Sequence, residues 1–263
     1  MANRAPLRDY IYVSTRKVER LSATLPEPAW ERLTSLNVQP PGSGTGLSLA
    51  GAPPATVMGV AAEVETALRE QQSVRSLSDL DLAVGHWFES SGVPMAYGVQ
   101  AARRSTDSDA AVFVGRIDEY STGAESSLLL SGSAEYLQDK RPTRAEDVSG
   151  DMSYPSALFS LLASLSEADV SEVSVGADVE FSARDRRGPT HRQAMTPVEQ
   201  AREEQWLAVG YPIAQARSAF AKHGLVPLGF LAQAVKVVNF ESDGLSGRWV
   251  VGTPLWVALQ MPE

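Results

Sequence analysis

Between residues 85 and 130 the sequence carries four short apolar runs, HWFE, VPMAYGV, AVFVGRI and SSLLLS, each set off by turn-forming or polar residues. Runs this short, rich in Val, Phe, Tyr and Trp, do not hold a helical period and read as successive antiparallel strands. A chain built this way must make a sheet first and then cover it. Residues 102–109 are polar and have the length of a hairpin loop, and residues 120–125, with Gly123, make another turn.

More sheet is expected at both ends. Residues 10–13 are four consecutive β-favouring residues, a strand buried on both faces that ends at Ser14 and Thr15. RWVVGTPLWVAL, residues 248–259, reads as two strands hinged at Gly252-Thr253-Pro254. A short strand is expected at 47–50, after the loop PPGSGTG at 40–46. Residues 173–182 alternate cleanly, Val173, Val175, Ala177, Val179 and Phe181 on one face and polar residues or glycine on the other.

Helices are expected where the spacing changes. Val57, Val60, Ala61, Val64 and Leu68 form one apolar stripe after Pro53-Pro54, which predicts a helix over 54–72. Pro28 with Trp30, Leu33 and Leu36 predicts a short helix, and Leu158, Phe159, Leu161, Leu162 and Leu165 predict one over 155–166. Thr196, Pro197 and Glu199 supply an N-cap, a first-position proline and a capping box for a helix over 196–223. Pro212 should kink or break it, and His223-Gly224 should stop it. Leu228, Leu231, Ala232, Val235 and Val238 are in phase for a last helix over 227–240.

Composition removes several function classes. The 263 residues contain no cysteine, so disulfides, thiolate metal sites and Cys nucleophiles are excluded. Three widely spaced histidines without HxH or HExxH argue against a protein-built zinc site. No run of about eighteen apolar residues is present to cross a bilayer, and MANRAPLRDY lacks the apolar run of a signal peptide, so the expected location is the cytoplasm. A net charge of −9 disfavours nucleic acid outside one basic loop.

YIYVSTRKVERL at 10–21, WFESSGVPMAYG at 87–98, VFVGRIDEYS and SSLLLSGSAEYL within 112–137, and VVGTPLWVAL at 250–259 resemble, in that order, an uncharacterised bacterial family common in actinobacteria. Its pattern is an opening Tyr-x-Tyr-x-Ser-x-x-Lys-Val, a Trp followed by a Met and an aromatic-Gly pair, a Gly-Ser-bearing strand, and a closing Gly-Ser/Thr-Pro-Leu strand. The chain departs from it at Ala134-Glu135-Tyr136, where relatives often carry a His or Arg. The resemblance implies homology over most of the chain and brings no activity, cofactor or catalytic residue.

The basic loop is the main chemical candidate: Arg184, Arg186, Arg187, His191 and Arg192 precede the helix capped at Thr196. Guanidinium forks match phosphate, and the helix amino terminus adds N–H donors and a positive dipole end. The competing reading is a solvated loop offsetting nearby acids. His86 and Glu89 near Trp87 could do acid–base work, but three residues apart on a strand they point to opposite faces. Ser48 and Ser133 miss the G-x-S-x-G pattern, and Gly42, Gly44 and Gly46 lack the following helix of a dinucleotide fingerprint. Trp87, Tyr97, Trp249 and Trp256 either line a stacking pocket or, more commonly, fill a core. Strand-like runs end repeatedly in small residues, at 12–15, 49–52, 130–133 and 250–253, as turns or as a shared ligand-binding edge.

The expected fold is a single α+β domain over 1–263, a mainly antiparallel or mixed sheet of about six to nine strands flanked by about four to five helices. The expected function is non-enzymatic: a ligand-sensing or adaptor protein in a bacterial stress or defence pathway. It would bind an anionic small molecule or nucleotide through Arg184, Arg186, Arg187, His191, Arg192 and Thr196, with a protein effector as a second partner. No catalytic residue, metal ligand or cofactor is assigned. The alternatives are a phosphate-directed hydrolase, a nuclease or phosphoesterase using His191 and the loop arginines, and a scaffold that binds only protein.

Overall fold

The computed structural model describes residues 8–23, 57–101, 109–119, 124–138, 196–242 and 245–260. In chain order these form β1 (Asp9–Val13), α1 (Thr15–Ser22), α2 (Val57–Gln71), β2 (Arg75–Ser76), β3 (Trp87–Gln100), β4 (Ala110–Glu119) and β5 (Ala124–Ser133). There follow α3 (Pro197–Gln205), a π-helical turn (Trp206–Gly210), α4 (Tyr211–Phe220), β6 (Val226–Ser242) and β7 (Leu245–Leu259).

Five of these strands close on themselves. β3 pairs with β4, β4 with β5, β5 with β7, β7 with β6, and β6 returns to β3; only the β5–β7 contact is parallel. The two remaining strands extend the wall. β7 changes neighbour along one edge, from β5 at Gly247–Gly252 to β1 at Trp256–Leu259. Pro254 falls in the gap between them, where that edge asks for no N–H. β3 likewise takes β4 at Met95–Gln100 and β2 at Phe88–Glu89.

The expected sheet flanked by about four to five helices is therefore wrong: this is a closed five-stranded barrel with two added strands, and the described residues hold three helical units. The largest single error lies at 227–240, expected as a helix and found as β6, paired on both edges. Leu228, Leu231, Val235 and Val238 fit a helical phase, but Leu228, Phe230, Ala232 and Ala234 also alternate, and all four enter the barrel. Val-rich composition and two waiting neighbours decide in favour of the strand. The two expected pairs of runs at 86–99 and 248–259 are each one long strand, β3 and β7.

Both faces of the barrel wall are covered, which is why its strands read as continuous apolar runs. Inward, Phe113, Phe88, Phe230, Leu128 and Leu228 fill the interior, with Tyr12 entering from β1. Outward, Val112, Val114 and Leu129 lie under Val209, Ile213 and Phe220 of the π turn and α4. On the opposite side Trp87, Leu231 and Trp256 lie under Val18 of α1 and Val60, Val64 and Leu68 of α2.

The helix over 57–71 matches its apolar stripe. Ser14, expected as a strand end, also caps α1, a helix that its short polar sequence hid. The capping box of α3 is present: Thr196 Oγ1 accepts the Glu199 N–H at 3.3 Å, and Glu199 Oε2 accepts the Thr196 N–H at 2.7 Å. Pro212 does not break the following helix. The Tyr211 N–H reaches back to the Trp206 carbonyl, and the wider π turn absorbs the missing donor. The helix stops as expected, with Gly224 at φ 96°.

Segment 77–86 closes one barrel end by inserting Leu77 and Leu82. Arg248, buried at 7% exposure, donates from Nη1 to the carbonyls of Leu77 at 3.2 Å and Asp79 at 2.6 Å and holds that cap. The expected elements near 28–36, 47–50, 155–166 and 173–182, and the loop at 40–46, lie outside the described residues.

Candidate functional site

The site is built on an irregularity in β3. Pairing between β3 and β6 is regular from Trp87 to Ser90, slips, and resumes at Val93. The bulged residues Ser91 and Gly92 turn outward, and Gly92 takes φ 71°, which favours glycine. Gly229 of β6 lies across from the bulge. A Cβ built on it would meet nothing closer than the Ser90 carbonyl oxygen at 3.7 Å, with Trp256 at 3.9 Å. A Cβ would fit there in ordinary contact, and a glycine within a strand often marks a bulge or a site of close approach.

Around these residues lies a cleft of about 690 Å³, lined by Arg8, Ser76, Glu89, Ser90, Ser91, Gly229, Trp256 and Gln260 among others. Its volume falls in the range of small-molecule sites. Trp256 forms part of the wall, held edge-on by Tyr10 with ring centroids 5.9 Å apart, and the Arg8 guanidinium lies 4.1 Å from the indole centroid. Trp256 Nε1 is buried and has no hydrogen-bond partner among the described residues.

Charge is organised as a ladder. Arg8 donates from both terminal nitrogens to the two oxygens of Glu65, one at 3.0 Å. Arg69 donates to Glu65 Oε1 from Nη2 at 2.8 Å and from Nε at 3.3 Å, and also to both oxygens of Glu89, one at 2.7 Å. Burial would push the Glu65 carboxyl up, but the bonds and charges of Arg8 and Arg69 outweigh it and hold the group below the ordinary carboxylate range. Burial would lower Arg8, but Glu65 outweighs it and raises it. Glu89, ahead of the burial of Arg69 itself, raises Arg69. Two cations and two anions cancel, and the end members Arg8 and Glu89 face the cleft.

Of the residues expected from sequence, Arg184, Arg186, Arg187, His191, Arg192, Ser48 and the glycines at 42, 44 and 46 lie outside the described residues. Thr196 stands at the amino end of α3, where any anion would share the terminus with the Glu199 carboxylate already accepting its N–H and hydroxyl. Thr196, through those bonds, holds that carboxyl below its ordinary range. His86 and Glu89 do not cooperate: His86 Nδ1 accepts the Ala83 N–H at 3.3 Å while Glu89 is taken by Arg69. Ser133 precedes a 3₁₀ turn without a side-chain cap.

The four aromatics do not share one pocket. Trp87 and Trp256 pack under α1 and α2, Tyr97 stacks on Phe113, and Trp249 stacks on Phe240 with Trp206 beside it. Small residues at 130–133 and 250–253 make room for neighbours: a Cβ on Gly132 would lie 2.0 Å from the Tyr12 hydroxyl, and one on Gly252 would lie 2.8 Å from the Gln233 carbonyl oxygen. That edge is filled by the protein's own atoms. Sequence reasoning missed Arg8, Glu65, Arg69 and Gly229. Only the Glu65/Arg69 spacing of four residues on one helix was a readable signal.

Among the described residues no group of three His, Asp or Glu could hold a metal ion, and no helix is long and apolar enough to cross a membrane. A family model described as a family of unknown function, DUF7019, matches residues 8–260. No curated protein and no solved structure matches the chain.

Proposed function

The chain belongs to the family DUF7019, and because that membership carries no activity, we propose from geometry that it is a non-enzymatic ligand-binding protein. It acts as a sensor or adaptor in the cytoplasm of bacteria, in a stress or defence pathway. It takes a small polar molecule into the cleft beside the β3 bulge. The observation that carries this reading is Gly229: a residue the packing leaves free to be larger, opposite a bulge, lining a cleft bordered by fixed charges. Binding rather than turnover is favoured by the state of those charges. Both oxygens of Glu89 accept from Arg69, which suits a fixed recognition group better than a general base.

The test is a thermal-shift screen of small polar metabolites against the wild type and Gly229→Val, with mass spectrometry of each hit after incubation. Hits should raise the melting temperature of the wild type alone and be recovered unchanged. A hit that stabilises both proteins equally would place the site elsewhere, and a consumed hit would make the protein an enzyme.

A further inference from the structure

The wall of the cleft is a fixed dipole, with a cation at Arg8 and an anion at Glu89. Between them stands the Glu65–Arg69 pair, so three ionic contacts in series join the two end charges and set an upper limit on the order of 10 Å to their separation. A ligand with net negative charge gains at Arg8 and is repelled at Glu89; a cationic ligand meets the reverse. Only a ligand with both signs, properly separated, gains at each end. Both end groups retain capacity for it. A guanidinium has five donors, of which Arg8 uses two on Glu65 and another on Tyr10. Each carboxylate oxygen of Glu89 has a second lone pair beyond its Arg69 bond. The ligand therefore adds to the ladder without dismantling it, and the ladder keeps both charges in place beforehand, which lowers the ordering cost of binding.

Building on the cleft reading above, we infer that the ligand is an elongated zwitterion, an ammonium and a carboxylate several bonds apart, as in a peptide of two or three residues with free termini. An extended chain of that length spans about 7–10 Å, which falls within that limit. Its carboxylate meets Arg8 and its ammonium meets Glu89. The hydroxyls of Ser90 and Ser91 and the Gln260 amide line the space between.

Calorimetry with trialanine, N-acetyl-trialanine, trialanine amide and 6-aminohexanoate tests this on the intact protein, with circular dichroism to establish that each variant is folded. Trialanine should bind, and blocking either terminus should weaken it at least tenfold. Glu89→Gln should remove the penalty for N-acetylation and leave the penalty for amidation. 6-Aminohexanoate binding as well as trialanine would identify charge separation as the recognised feature; weaker binding would add the peptide backbone to it. Blocked peptides binding within twofold of trialanine, or no binding by trialanine, would overturn the inference. The cleft reading fails separately: it falls if trialanine binds Gly229→Val as well as wild type, and it stands if a ligand of other chemistry is lost in that variant.

Discussion

Glu65→Gln removes the charge on which the ladder turns. The side chain is buried at 7% exposure on α2 and accepts four bonds, two from Arg8 and two from Arg69. Breaking a fully buried ion pair from one side costs about 3–5 kcal/mol. Both arginines here reach water, with side chains 22% and 41% exposed, so part of their charge is resolvated when the partner goes. The expected loss is about 2 kcal/mol at pH 7, or a fall in melting temperature of about 4–8 °C. The pH dependence has a fixed sign. The Glu65 carboxyl is held below its ordinary value in the folded protein, so its stabilisation is complete above that value and is lost as pH falls towards the folded one. Urea unfolding followed by circular dichroism should show the wild type ahead at pH 7 and the two proteins converging in acid. A gap under roughly 0.5 kcal/mol at pH 7, well short of an effective buried pair, would refute the reasoning. So would a gap that persists unchanged at low pH.

Three other substitutions test the frame around the site. Gly132→Ala places a methyl 2.0 Å from the Tyr12 hydroxyl between β5 and β1 and should cost about 1–3 kcal/mol by overpacking, measured by the same unfolding curves. Arg248→Met removes both bonds to the barrel cap and should raise amide exchange at 77–86 well before the rest of the barrel opens. Thr196→Ala deletes half of the capping box and should cost α3 about 1 kcal/mol, seen as faster amide exchange at residues 198–200 with β3 to β7 unaffected.

Local chemistry was legible in the sequence, and closure was not. The stripe from Val57 to Leu68, the box at Thr196 and Glu199, and the stop at Gly224 are each decided by residues within a few positions of one another. Whether β6 becomes a strand is decided by β3 and β7, which lie far along the chain, and its Leu and Val residues fit both periods. The barrel followed from the same cause. Closure needs β6 to pair with β7 on one edge and to return to β3 on the other, and no local pattern states those pairings. The cleft was hidden more deeply still. Arg8 and Glu65 are 57 residues apart, Arg69 and Glu89 are 20 apart, and Gly229 lay within the segment expected as a helix. The arginines that cluster in the sequence lie at 184–192, while the ladder's arginines are scattered singly.

The most direct test is a proton–nitrogen NMR titration of the ¹⁵N-labelled protein with trialanine, with the Trp256 indole signal assigned by Trp256→Phe. The amides of Glu89, Ser90, Ser91, Gly229 and Gln260 should move together with the Trp256 Nε1 signal, and along one saturable curve. Saturable shifts confined to α3, α4 or the 77–86 cap would contradict the account, and so would a spectrum unmoved at millimolar peptide.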